Sequence, residues 1–115
     1  MTDGTRKLLF DILEAGRAIQ GFVEQRMTLA EYLADLRTRS AVERQFEILG
    51  EAFVRLRETD AETFVQFPQA PRIIGFRNRL IHGYNAIDQE AVWDVVQRHL
   101  PALLAAIETI LPATP

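Results

Sequence analysis

The chain has 115 residues, a length that suits one domain. It carries 13 Lys and Arg against 16 Asp and Glu, a formal net charge of −3, so the broad basic surface of a general nucleic-acid binder is absent. It has no cysteine, which excludes disulfides, thiolate-held zinc and a thiol nucleophile together.

The first residues, Met1-Thr2-Asp3-Gly4, show no basic segment leading into an apolar one, so no signal peptide is predicted. No apolar run approaches the roughly 20 residues that a membrane span needs. The expectation is a cytoplasmic protein with no membrane contact. Residues 1–115 are expected to form a single domain, with a frayed tail over residues 112–115.

The first predicted helix runs from about Thr5 to Gln25, where Leu8, Leu9, Ile12, Leu13, Ile19, Phe22 and Val23 recur at helical spacing. Gly16 and Gly21 lower helix propensity there, and mark either close packing or local weakness. Two capping boxes follow. Thr28-Leu29-Ala30-Glu31 and Ser40-Ala41-Val42-Glu43 each place a hydroxyl three residues before a Glu. They predict a short helix at about 29–37 and a longer one at about 41–58. In the longer helix Val42, Phe46, Leu49, Phe53 and Leu56 form one apolar stripe.

Residues 59–70 read as a loop, or as a short helical turn around 61–66, ended by prolines. Pro71 suits the first turn of a further helix, because its missing N–H is not needed there. That helix should run to about His82, with Gly83 as its stop signal. Asp88 is the predicted N-cap of the last helix. Its apolar face runs from Val92 to Ile110. Pro101 removes one backbone donor and crowds the carbonyl four residues back, so a kink is expected near residues 97–101. No segment alternates with period two. The predicted fold is all-α, a four- to five-helix antiparallel bundle.

Chemistry is concentrated in Gly75-Phe76-Arg77-Asn78-Arg79-Leu80-Ile81-His82-Gly83-Tyr84. His82 can accept and donate a proton near neutral pH. Arg77 offers a permanent charge and a planar donor fork suited to phosphate. Asn78, four residues before His82, shares its helix face and could fix the ring's tautomer. Arg72, Arg77, Arg79 and His82 form the one basic cluster that also holds a proton-transfer group. Together these residues suggest metal-independent phosphoryl chemistry on RNA. On an ideal helix, however, Arg77 and His82 lie roughly 140° apart. Spacing alone favours the structural reading, a salt-bridged arginine and a histidine capping a helix end. Glu47 and Glu51 are expected to pair with Arg44 or Arg55. His99 is expected at a helix end or on the surface, and Trp93 in the core or an interface.

Arg77-Asn78-Arg79-Leu80-Ile81-His82-Gly83-Tyr84 resembles the R-x4-H-x-Y pattern of the HepT-like HEPN toxins. Phe46-Glu47-Ile48-Leu49-Gly50-Glu51-Ala52 is similar to that family's E-x-x-G-E-A helix. Ile73-Ile74-Gly75-Phe76 and Asp88 with Val92-Trp93 extend the likeness, which covers roughly residues 5 to 110. The resemblance implies a homodimeric toxin of a toxin–antitoxin pair. It would act as an endoribonuclease needing neither metal nor cofactor, with Arg77 and His82 matching the catalytic pair. Asn78 and Arg79 would support RNA binding. The implied partner is a small nucleotidyltransferase antitoxin, which would transfer AMP to Tyr84. The alternative is a non-catalytic HEPN module that binds such a nucleotidyltransferase.

Overall fold

The computed structural model describes residues 1–82 and 87–111. All regular structure among them is helical, and it forms an all-α, HEPN-like bundle. No helix there is long and apolar enough to cross a membrane.

Helix α1 spans Asp3–Phe22, started by Thr2, whose side chain accepts from the Thr5 amide. It buries Leu9, Ile12, Leu13 and Ile19, and it packs on α3 (Leu36–Thr59) and α7 (Leu100–Ile110). It stops short of Gln25 because Val23 turns extended, at φ −99° and ψ 91°. Gly16 does mark close packing: a Cβ there would strike the Leu104 side chain. Gly21 does not, since nothing lies within 4 Å of its would-be Cβ.

Helix α2, Leu29–Ala34, begins with the predicted capping box: Thr28 Oγ1 accepts from the Glu31 amide, and Glu31 Oε1 accepts from the Thr28 amide. The second predicted box does not form. Helix α3 runs Leu36–Thr59, so Ser40 lies inside it. The cap is Asp35, which accepts from the Thr38 amide at 3.0 Å and the Thr38 hydroxyl at 2.6 Å. A carboxylate that satisfies two donors outcompetes a serine that would satisfy one.

Helix α4, Ala61–Phe64, is the short turn expected within the 59–70 segment. Asp60 caps it through Thr63 and also accepts from the Thr5 hydroxyl at 2.9 Å. That one carboxylate joins the end of α3 to the start of α1. The Thr63 bonds, then Thr5, hold Asp60 below the usual carboxylate range.

Helix α5, Ala70–Ile81, carries Pro71 in its first turn and ends at His82, as predicted. The last helical segment starts at Asp88 as predicted. It reads α6 over Gln89–Asp94, a wider π turn over Val95–His99, and α7 over Leu100–Ile110. Within the wide turn the Leu100 amide bonds to Val95 O, five residues back. The disruption expected at residues 97–101 therefore takes the form of a widened turn just before Pro101.

The core is aromatic and aliphatic. Phe46 meets Phe76 edge-on at 5.7 Å, and Phe53 meets Phe67 at 5.9 Å. Each such buried side chain contributes about 1.5–3 kcal/mol relative to exposure. A polar network links α2, α6 and α3. Tyr32, fully buried, donates to Gln89 Oε1 at 3.1 Å, and Gln89 Nε2 donates to Glu43 at 2.7 Å. Burial pushes the Tyr32 phenol up to about 12, so it stays protonated as a donor. Trp93 packs on Tyr32 at 5.2 Å.

Candidate active site

Helix α5 buries Ala70, Ile73, Ile74 and Phe76. Continuing the period from Ile73 reaches Arg77, so an arginine stands where the helix would next place a core residue. Its stem lies against α3, opposite Gly50. A Cβ built on Gly50 would sit 2.5 Å from Arg77 Cβ and 3.1 Å from its Cγ. Real Cβ atoms do not approach that closely, so only glycine leaves room for this stem.

The head of Arg77 is caught by the next residue of α3. Glu51 Oε2 accepts from Arg77 Nε at 3.0 Å and from Nη2 at 2.6 Å. Arg77 Nη1 donates to Asn78 Oδ1 at 2.8 Å. The other oxygen of Glu51 accepts from Arg55 Nε at 3.4 Å. Two guanidinium groups thus share one carboxylate, which leaves the cluster net positive. The Arg77 hydrogen bonds, then those of Arg55, hold the Glu51 carboxyl below its usual range.

His82 follows the last residue of α5, at φ −80° and ψ 0°, with its amide bonded to Asn78 O at 3.1 Å. The amide continues the helical pattern, so Asn78 and His82 stand one turn apart. The ring of His82 is on an exposed residue. A cavity of about 320 Å³ opens beside the cluster, lined in part by Leu8, Glu47, Glu51, Arg55 and Ile81.

The structure divides the predicted basic cluster. Arg77 turns to α3, whereas Arg72 pairs with Asp94 of α6 at 3.9 Å. Asp94 also takes Arg98 at 3.2 Å, and His99 Nε2 lies 3.5 Å from it, at the last residue of the π turn. Arg79 is exposed. Asn78 Oδ1 accepts from Arg77 Nη1, while the Asn78 backbone oxygen accepts from the His82 amide. Tyr84 and Gly83 lie outside the described residues. Glu47 pairs with Arg44 at 3.7 Å and Glu51 with Arg55, as expected. Arg77 is salt-bridged, as the structural reading had it, but its partner Glu51 was not expected. The available signal was Gly50, a glycine inside a helix directly before a carboxylate.

A family model described as Ribonuclease HepT-like matches residues 12–110, which include both α3 and the Arg77–His82 segment. The chain belongs to the HepT-like ribonuclease family. Among its relatives, the Methanocaldococcus jannaschii protein named "Putative RNase MJ0127" is 38% identical over 109 residues, covering 92% of this chain and 86% of the relative. Another from that organism, "Putative RNase MJ1380", is 30% identical over 105 residues, covering 91% and 94%. The "Probable ribonuclease HepT" of Thermococcus cleftensis is 29% identical over 102 residues, covering 89% and 91%. No solved structure gives a significant match.

Proposed function

We propose that this HepT-like chain is the toxin of a toxin–antitoxin pair, a metal-independent endoribonuclease whose working residues are Arg77 and His82. The observation that carries the reading is the held arginine: a guanidinium fixed by Glu51 and Asn78, five residues before a histidine at a helix end, in a ribonuclease family. The ribonuclease names of the relatives support it.

In the proposed reaction the ribose 2′-hydroxyl attacks its adjacent phosphorus. The P–O5′ bond breaks, giving a 2′,3′-cyclic phosphate and a 5′-hydroxyl. One histidine takes the 2′ proton and another protonates the departing O5′, a contribution of about 10²–10⁴-fold. Arg77 offsets the charge that gathers on the phosphoryl oxygens. One chain supplies a single well-placed histidine, so two protomers of a cytoplasmic homodimer, each one HEPN-like domain, would supply both copies of His82. Asn78 and Arg79 would contact the RNA backbone nearby. A nucleotidyltransferase antitoxin would silence the toxin by transferring AMP from ATP to the Tyr84 hydroxyl with release of pyrophosphate, placing bulk and negative charge where phosphate must sit.

Expression of the chain without an antitoxin tests this reading. Growth arrest is expected, and His82→Ala of equal thermal stability should abolish it. Arrest that survives His82→Ala contradicts the assignment. Co-expression with a cognate nucleotidyltransferase should add roughly 329 Da per AMP, lost in Tyr84→Phe. An unmodified wild-type mass, with no arrest, would favour the non-catalytic partner module.

A further inference from the structure

Glu51 stands outside the R-x4-H-x-Y pattern, yet it makes the tightest contact to Arg77. We infer that Glu51, with Gly50 before it, is the positioning device of the site: it grips one edge of the Arg77 guanidinium and so presents the other edge to the scissile phosphate. The inference rests on the ribonuclease reading above.

A guanidinium has five N–H donors in a rigid fork. They form a side edge, Nε with Nη2, and an end edge, Nη1 with Nη2. Glu51 Oε2 occupies the side edge, at 3.0 Å and 2.6 Å. Asn78 takes one hydrogen of Nη1. These three bonds leave one N–H on each terminal nitrogen. These two donors can serve the oxygens of one phosphate.

The stem is fixed as well as the head. Any side chain on residue 50 would meet Arg77 Cβ, Cγ and Cδ, the last at 3.3 Å. With glycine there, the stem lies on the α3 backbone, and the Arg77 side chain is only 23% exposed. Consecutive residues of one helix thus hold both ends of the same arginine. Its rotamer freedom is lost on folding and need not be lost again when RNA binds.

A carboxylate beside a phosphate-binding arginine weakens its field. Here Glu51 is shared with Arg55, so the group still carries a net positive charge. Were Glu51 a mask that hides Arg77, it would be expected on the end edge. It lies on the side edge.

Single-turnover and steady-state cleavage of a labelled, mixed-sequence single-stranded RNA tests the inference, beside thermal melting. Glu51→Gln keeps the shape and loses the charge. It is expected to lower kcat by about 10–100-fold with KM within about threefold and Tm within about 2 °C of wild type. In an Arg77→Lys background the side edge no longer exists, and Glu51→Gln should then cost less than about threefold. Wild-type kcat in Glu51→Gln overturns the inference. So does a raised kcat, which would make Glu51 a mask, or an equal loss in both backgrounds. If Glu51→Gln fails to fold, Gly50→Ala keeps the carboxylate but displaces the stem. It should show the same fall in kcat, and wild-type kcat would overturn the inference. Cleavage by wild type no greater than by His82→Ala is a separate failure, that of the ribonuclease reading, and the inference falls with it.

Discussion

Glu43 and Glu51 both leave α3 to bind a polar partner on another helix, and the two clusters they build differ in kind. Glu43 closes a chain through Gln89 to Tyr32, whose ring is fully buried. Glu51 instead takes two arginines at a surface where its own side chain is 43% exposed. The closed network earns its place through stability. Each of its hydrogen bonds contributes about 0.5–1.5 kcal/mol, and leaving a buried partner unmatched would cost more. The open cluster does not. A part-buried ion pair that solvent still reaches, its arginine 23% and its glutamate 43% exposed, contributes about 1 kcal/mol or less. Gly50, which admits Arg77, lowers helix stability by about 0.5–1 kcal/mol relative to Ala. The two nearly cancel. A feature that returns so little stability is explained better by what it holds ready.

That contrast can be broken. Tyr32→Ala should have the largest effect on folding, a loss of about 3–5 kcal/mol in denaturant melts, with cleavage per folded molecule unchanged. A fall in that specific activity would erase the division between the clusters. Arg77→Ala should do the reverse: cleavage down by about 10²–10³-fold, with Tm down by no more than about 5 °C from the lost packing of its stem. A large drop in Tm would make Arg77 a structural residue. Asp35→Ala should cost about 0.5–2 kcal/mol, and Ser40→Ala nearly nothing, because the cap of α3 is at Asp35. Equal effects would restore the predicted box.

The smallest effect is on acid stability. Asp35 is held low by bonds from Thr38, Glu51 by bonds from Arg77, and Asp60 by bonds from Thr63. Depressed carboxylate pKa values add stability that is present above the unfolded pKa and lost as pH falls through the folded one. Tm should therefore be level from about pH 7 to pH 5 and decline below about pH 4. Asp60→Asn should flatten part of that decline.

The sequence carried what is local. Thr28 with Glu31, Asp88 at a helix start and Pro71 in a first turn each act within four residues, and the structure shows all three as read. Ser40 failed because a stronger cap lay five residues earlier, and a capping pattern says nothing about its rivals. Pro101 announced a disruption without its form. The Arg77–Glu51 pair spans 26 positions, beyond any helical spacing rule. Its traces were indirect: a glycine inside α3, and an arginine on the buried period of α5.

The central claim is a ribonuclease with His82 at its centre. The most direct test is cleavage of total RNA, in the presence of a chelator, by the wild-type protein and by His82→Ala of equal Tm. The account predicts cleavage by wild type alone, with 2′,3′-cyclic phosphate ends. Cleavage by both proteins, or by neither when the wild type carries no AMP, would contradict it.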